Sequence, residues 1–301
     1  MTDRPKVPAD LIYPLPYFAE EFARQVRQGE QKAAVSRVAV VGLARNCDQH
    51  LAGNLQRLLQ LAESFAGWRL HIETNDNDDG TDQVLADFCA AHRQATFTSQ
   101  RLGRGHYSNE FAGRRTIALA EYRSACQRWV SESAADADFV IVIDFDSWGG
   151  WSHIGVMHGI GSIVATEDAF GMASVSLIQH ERIAIGEDRK PSVEIGWAHY
   201  DAWAYRLNEY FDDYTAGLGG WKHSHLPAVG SRPFGVCSAF GGLAIYAAAD
   251  YLAGTYDGRV DCEHVAFHRT IQERTGRSLY LNPAMRTVMH WMTDGRQHSN
   301  D

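Results

Sequence analysis

The sequence lacks the features of a membrane or secreted protein. It contains no run of 18 consecutive apolar residues, which argues against a membrane-spanning helix. Its first residues, MTDRPKVPADLIYPLPYFAEEF, lack the basic start, apolar core and small-residue cleavage site of a signal peptide. These absences predict a soluble cytoplasmic protein.

Cysteine and positive charge are also scarce. Five cysteines occur without a CxxC pair or a regular spacing, so neither structural zinc nor a disulfide scaffold is predicted. With 28 basic against 37 acidic residues the net charge is −9, which argues against nucleic-acid binding and against a polybasic membrane surface. Any anionic ligand must therefore be bound at a local site.

What is present is typical of a globular protein large enough for a sizeable core. The 301 residues are 45% hydrophobic and 22% charged. We predict a helical leader at 1–34, a half of alternating strands and helices at 35–150, and a loop-rich half at 151–301 that is rich in Gly, Trp and His. The first half is expected to hold a cofactor or donor and the second a partner, within one domain; two separately folding domains remain the alternative.

The alternation is clearest between residues 37 and 144. SRVAVVGLARN predicts a first strand to Gly42, followed by a leucine-rich helix capped at Gly67. WRLHIET and ATFTSQ predict further strands around a helix capped by Thr81. A long helix, with Ile117, Ala120, Ala125 and Trp129 inward, leads to the apolar strand FVIVID. The pattern indicates an α/β fold with a largely parallel sheet.

The fourth strand ends in two carboxylates, Asp144 and Asp146, followed by Ser-Trp-Gly-Gly. Ligands of open α/β sheets bind beyond the carboxyl ends of the strands. Side chains two residues apart on an extended chain share a face, so both can reach one Mg²⁺ or Mn²⁺ ion. A solvated strand end before a turn is the structural alternative.

Short motifs around this pair resemble, in order and spacing, those of nucleotide-sugar glycosyltransferases of the GT-A fold. GLARNC follows the first strand, IETNDNDDGT the second, and the DFD segment ends the fourth. More narrowly, RRTIALAEYR, HYDAWAYR and VCSAFGGLAIY are similar to motifs of the fungal capsule α-1,3-mannosyltransferase-like family and its bacterial relatives. The resemblance covers residues 38–270; Ser124 replaces the Asn that is usual in that helix motif.

The resemblance implies a nucleotide-sugar donor of the GDP or UDP type and a Mn²⁺ or Mg²⁺ ion. Asp146 is expected to bind the ion, and Asp144 the ribose or a metal-bound water. A histidine near the C-terminus is expected as third ligand, with His290 and His264 as competing candidates. Turn chemistry is the alternative for the loop residues that are expected to contact the nucleoside: Arg45, Asn46, Glu73 and Asp76.

Arg115 and Arg123 lie eight residues apart on the long helix, so they share one side of it. They are expected to clamp phosphate or to pair with the acidic residues; an exposed helix arginine is the alternative.

The second half is expected to bind a carbohydrate, lipid-linked or small-molecule acceptor. Glu263 is the expected catalytic base and Asp261 the nearest alternative; if the enzyme retains configuration, Glu263 positions the acceptor instead. Asp201 is a third catalytic candidate and is expected on the acceptor side. Three further residues are expected there, because Trp offers a stacking face and Gly allows close approach: Trp203, Gly241 and Gly242.

Two other functions fit parts of the pattern. A catalytically inactive module that binds glycan or nucleotide on the same fold is the non-enzyme alternative, although both carboxylates are present. A DxD phosphohydrolase is less consistent with the sequence, because its acidic pair follows the first strand. A dinucleotide-binding fold is disfavoured, because VVGLARN lacks the GxGxxG spacing.

Overall fold

The computed structural model describes residues 5–107, 110, 113–185, 189–207, 210–211 and 217–292. In the first half, strands and helices alternate after the leader helix. Their bounds are α1 (Ala19–Ala33), β1 (Arg37–Ala44), α2 (Asp48–Ala62), β2 (Gly67–Asn75), α3 (Thr81–Ala91), β3 (Ala95–Gln100), α4 (Arg114–Ser133) and β4 (Phe139–Asp144).

The second half adds strands to the same sheet, without a βα rhythm. Its elements are β5 (Gly150–Trp151), α5 (His153–Ala165), β6 (Ala169–Ile185), β7 (Pro191–His199), α6 (Trp221–Ser224), β8 (Phe234–Val236), β9 (Leu243–Ala247), α7 (Ala248–Ala253), α8 (Glu263–Thr275) and β10 (Ser278–His290). No helix in the described part of the chain is long and apolar enough to cross a bilayer.

The main path of the sheet has the order β3-β2-β1-β4-β9-β6-β10-β5, with β7 beside β6 and β8 beside β10. Strands β1 to β4 are mutually parallel, whereas β9 is antiparallel to both β4 and β6. The predicted α/β class is therefore confirmed. The chain moves outward from β1 to β3 and then returns to the other side of β1 with β4. The carboxyl ends of β1 and β4 thus border a topological switch point, where α/β sheets bind ligands.

Helices cover both faces of the sheet, which explains the unbroken apolar run of β4. Phe139, Ile141 and Ile143 pack in the core beneath α1, α2 and α5. Val140 and Val142 point the other way, into the core beneath α4 and α8. Successive residues of a strand face opposite sides, so a strand covered on both faces needs apolar residues at every position.

Three local predictions were wrong. Gly67 begins β2, because α2 already ends at Ala62. Thr81 is the first residue of α3 rather than its cap; its hydroxyl accepts a hydrogen bond from the Cys47 N–H instead. Ile117 is exposed, because the buried stripe of α4 runs through Thr116, Ala120, Arg123, Cys126 and Val130.

Candidate active site

A polar cleft lies at the carboxyl ends of β1, β2 and β4. The loop after β3 and one side of α4 complete its walls. Six residues that the sequence predicts for donor or metal binding line it: Arg45, Glu73, Arg115, Arg123, Asp144 and Asp146. The switch point of the sheet and the predicted donor residues therefore coincide.

Asp144 and Asp146 stand at the end of β4. Asp144 lies opposite Leu43 of β1, and its N–H donates to the Gly242 carbonyl at 2.9 Å. Crowding by protein atoms and the charge of Asp144 raise the pKa of Asp146 to about 7, although its side chain keeps access to solvent. Burial also raises the pKa of Asp144. The two carboxylates repel each other, so a nearby positive charge would stabilise their ionised forms.

Arg123 supplies part of that charge from the buried side of α4. Its Nη2 lies 3.0 Å from Asp144 Oδ1, and its Nε lies 2.9 Å from Glu263 Oε1. The guanidinium also stacks 4.7 Å from the centre of the Phe240 ring. The side chain is only 5% exposed, which excludes the exposed-arginine alternative. Glu263 is 2% exposed, and its carboxylate holds Arg123 in place.

Asp201 lies close enough to Asp144 for its negative charge to contribute to the raised pKa of Asp144. Its oxygens accept hydrogen bonds from the backbone N–H groups of Gly241, at 2.8 Å, and Ala204, at 3.3 Å. Burial raises the pKa of Asp201. Asp261 is held differently: Arg206 Nη2 donates to it at 2.9 Å.

The predicted acceptor glycines support the end of β4. Both have positive φ, 68° for Gly241 and 77° for Gly242. A Cβ on Gly241 would lie 2.1 Å from the Ser174 carbonyl oxygen, so no side chain fits there. Trp203 lies nearby, with its ring 5.7 Å from Arg115 Cζ, so the predicted acceptor and donor residues adjoin at this point.

Two of the predicted nucleoside-binding residues hold the loop that covers the cleft. Arg45 donates to the carbonyls of Gly105, at 3.0 Å, and Arg104, at 2.7 Å. The Asp76 carboxylate accepts from the Asn75 side chain and from three backbone N–H groups at 102–104, which lowers its pKa. Both side chains thus bind a loop that is distant in sequence rather than a turn of their own, and their contact with a nucleoside stays a prediction.

Asn46 and Glu73 are also engaged by the protein. Asn46 has a positive φ of 47°, and its side-chain oxygen accepts from the Asp78 N–H at 2.8 Å. Glu73 Oε1 lies 2.9 Å from His71 Nε2, and both side chains are buried. Glu73 nevertheless lines the cleft, whereas Asn46 shapes the turn beside it.

The two candidate histidine ligands lie in different surroundings. His264 is buried and stacks on Phe240 with ring centres 4.0 Å apart, while His290 contacts Trp148 and Tyr200. Burial lowers the pKa of both. Across the described ranges, no group of three His, Cys, Asp or Glu side chains is placed to hold a metal ion. A third protein ligand therefore stays a prediction.

The acidic pair itself suits a hard divalent cation. It offers carboxylate oxygens in an open cleft, and the pKa of Asp146 is raised first by crowding from protein atoms and second by the charge of Asp144. Mg²⁺ and similar ions commonly bind through one or two carboxylates, with waters and substrate phosphates as the other ligands. Asp144 and Asp146 would hold such an ion.

No protein-family profile and no curated protein matches this sequence. Among solved structures, the fold is similar to a mannosyltransferase from Pyrobaculum calidifontis in complex with GDP-Man and Mn²⁺, with a TM-score of 0.47 and 12% identity. It is also similar to GalNAc-T7 with UDP, GalNAc and Mn²⁺, with a TM-score of 0.49 and 13% identity.

A third similar structure is S. aureus TarS 1–349 in complex with UDP-GlcNAc, with a TM-score of 0.46 and 9% identity. The alignments cover 90%, 100% and 88% of this chain, but only 64%, 58% and 61% of those chains. Similarity this low assigns no ligand or reaction to this protein, and the narrower resemblance to the capsule family stays a prediction.

Sequence reasoning missed Asn54, which positions the acidic loop. Its Nδ2 donates to the carbonyls of Phe145, at 2.9 Å, and Ser147, at 2.7 Å, on either side of Asp146. Asn54 is 2% exposed and lies among the buried leucines of α2. The sequence did contain one sign of this role: Asn54 is a polar residue within an apolar helical stripe, and a buried polar side chain needs a hydrogen-bond partner.

Proposed function

We propose that this chain is a metal-dependent glycosyltransferase that moves a sugar from a GDP- or UDP-type donor to a hydroxyl of a glycan, lipid-linked or small-molecule acceptor. The observation that carries the proposal is the acidic pair at the switch point, which shares one cleft with Arg115 and Arg123 of α4. Carboxylates that can hold a cation and arginines that can hold phosphate suit a nucleoside diphosphate better than a neutral ligand.

In the proposed site, bound Mn²⁺ or Mg²⁺ would neutralise charge on the leaving diphosphate. Arg115 would bind a phosphate oxygen from the wall of the cleft. Arg123 is tied to Asp144 and Glu263, so its main effect would be to orient Asp144. Glu73 and the loop held by Arg45 would contact the nucleoside. Aligning donor and acceptor in this way contributes to rate by proximity.

Among the three acidic residues predicted for catalysis, Asp201 suits the role of base best. Transfer breaks the bond between the anomeric carbon and the diphosphate oxygen and forms one to the acceptor oxygen, which must lose its proton. Glu263 is buried against Arg123, and Asp261 is bound by Arg206. Among the residues that the structure describes, the donors to Asp201 are backbone N–H groups, and its raised pKa suits proton capture. In a retaining enzyme the same carboxylate would orient the acceptor.

One observation favours the binding-module alternative. Asp144 is already neutralised by Arg123, which lowers its availability to a cation. Turnover separates the two functions: the protein is incubated with GDP- and UDP-sugars, Mn²⁺ and a mixed set of glycan acceptors, and nucleoside diphosphate release is measured. We expect one donor to be consumed and the rate to fall at least about 100-fold in Asp146→Asn.

The matched control is Asp136→Asn, an exposed acid that is paired with Arg37 and Arg69 and lies apart from the cleft. It should keep the wild-type rate. Nucleotide binding without release of product from any donor would favour the module. The cytoplasmic location and the absence of nucleic-acid partners stay predictions.

A further inference from the structure

A second cleft lies behind the loop that follows Asp146. Its cavity volume is about 310 Å³, and its wall combines apolar side chains of the N-terminal segment with groups from α2, α5 and β10. None of its lining residues lines the acidic cleft. It is therefore a separate place for a ligand.

Arg286 of β10 borders this cleft and is an unusual buried cation. It is 2% exposed, and its Nη2 donates to the Pro227 carbonyl. Within the described part of the chain, its Nε and Nη1 have no hydrogen-bond partner. Burial lowers its pKa to about 10, with no carboxylate contributing to the shift. A buried charge without a counter-charge is costly, so an anion that reaches the guanidinium from the cleft would stabilise it.

Other groups around the cleft add positive potential. The helix α5 begins at its wall, where Ser152 caps the helix by accepting from the Gly155 N–H at 3.1 Å. Helix N-termini carry partial positive charge. Arg57 of α2 lies against the Gly150 backbone on the same wall. Among the described residues that line the cleft, none is acidic.

We propose that this cleft binds a small organic anion, with its carboxylate or phosphate group held by Arg286 and the start of α5. Its apolar body would pack against Ile12, Tyr13 and Phe22. This distribution, a few convergent polar groups within an apolar wall, is typical of small-molecule sites.

An occupant would contact the backbone of the acidic loop. Gly149 and Gly150 line the cleft and follow Asp146 by three and four residues. The Gly149 N–H donates to the Val288 carbonyl at 2.9 Å, which couples the loop to β10. The anion would thereby stiffen the loop that carries Asp146. That consequence rests on the proposed function, whereas binding of the anion does not.

The test measures thermal unfolding with sodium phosphate and with sodium benzoate as probes, against sodium chloride at equal ionic strength. Wild type should gain about 5 °C at 100 times the dissociation constant of a probe. Arg286→Met should lose that gain. Arg115→Met, which alters only the acidic cleft, should keep it. A response to phosphate alone or to benzoate alone identifies the head group and supports the proposal.

Ser152→Asp provides a second variant that does not depend on removing Arg286. Asp is as good a helix cap as Ser, and here it places a carboxylate beside the cleft. It should raise the unfolding midpoint without any probe and abolish the response to both. No response of wild type, an equal response in Arg286→Met, or loss of the response in Arg115→Met would overturn the proposal. The last result would place the anion in the acidic cleft.

Discussion

Arg123 on α4 and Glu263 at the start of α8 are 140 residues apart in the chain, and their side chains meet at 2.9 Å. The same guanidinium reaches Asp144 at the end of β4. One buried cation thus joins two helices to the strand that carries the acidic pair. The second half of the chain therefore supports the site in the first half directly.

Removing this cation should destabilise the fold strongly. Arg123→Ala leaves Glu263, which is 2% exposed, without its counter-charge, and this costs about 3–5 kcal/mol of unfolding free energy. Denaturant unfolding measures the loss. Arg259→Ala is the control, because Arg259 is 77% exposed and pairs with Asp257 at the surface, where ion pairs contribute about 0–1 kcal/mol.

The coupling between the two residues can be isolated with a double variant. Arg123→Ala together with Glu263→Ala should cost less than the sum of the single losses, because the second change removes a carboxylate that the first leaves unpaired. Additive losses would show that the pair makes no energetic contact.

Two glycine-to-alanine changes should act in opposite directions. Gly241→Ala puts a methyl group within 2.1 Å of a carbonyl oxygen at a φ of 68°, so we expect a loss above about 2 kcal/mol. Gly53→Ala, in the middle of α2 with nothing within 4 Å, should gain about 0.5–1 kcal/mol. Denaturant midpoints of both variants check the pair, and equal effects would contradict the backbone account.

Asn54 is expected to matter for both stability and the site. Asn54→Leu leaves the carbonyls of Phe145 and Ser147 without their side-chain donor, at a cost of about 1–3 kcal/mol. The freed loop should also bind a nucleoside diphosphate more weakly. Gln56→Leu, at an exposed position on the same helix, is the control and should change neither property. Unchanged binding in Asn54→Leu would show that the loop holds its shape without this residue.

Acid should destabilise the protein through buried histidines. Burial lowers the pKa of His158 to about 4, and of His199 and His268 to about 3, from 6.5. Below pH 6.5 these histidines become protonated in the unfolded chain but stay neutral in the folded protein. Stability is therefore intact above that pH and falls as the pH drops towards 4, by at most about 1.4 kcal/mol per pH unit for each histidine.

His268→Gln tests one contribution. It can keep a hydrogen bond to Ser238 or Tyr246, which hold the two ring nitrogens at 2.9 Å. The slope of unfolding free energy against pH between 6 and 4 should decrease by up to about 1.4 kcal/mol per pH unit, which corresponds to one proton. A slope identical to wild type would show that His268 already titrates in the folded protein.

The first half of the fold was predictable because its signals are local. Apolar runs marked β1, β2 and β4, and the position of Asp144 at the end of β4 followed from where the apolar run stops. Helical spacing also placed Arg115 and Arg123 on one side of α4, and both line the cleft.

The remaining contacts depend on residues that are distant in sequence. Nothing near Glu263 indicates that it pairs with Arg123, and nothing near Asp76 indicates that three N–H groups of another loop converge on it. Tertiary contacts also moved the buried stripe of α4 away from Ile117, because packing on the sheet overrides a weakly amphipathic pattern.

The central claim is that the acidic cleft binds a nucleoside diphosphate through a divalent cation. Calorimetric titration of GDP and UDP into wild type and Asp146→Asn, with Mn²⁺ or with EDTA, tests it most directly. We predict that one nucleotide binds wild type in Mn²⁺ at least about 100-fold more tightly than in EDTA, and that Asp146→Asn loses the difference. Equal affinities in all four conditions, or no binding of either nucleotide, would contradict it.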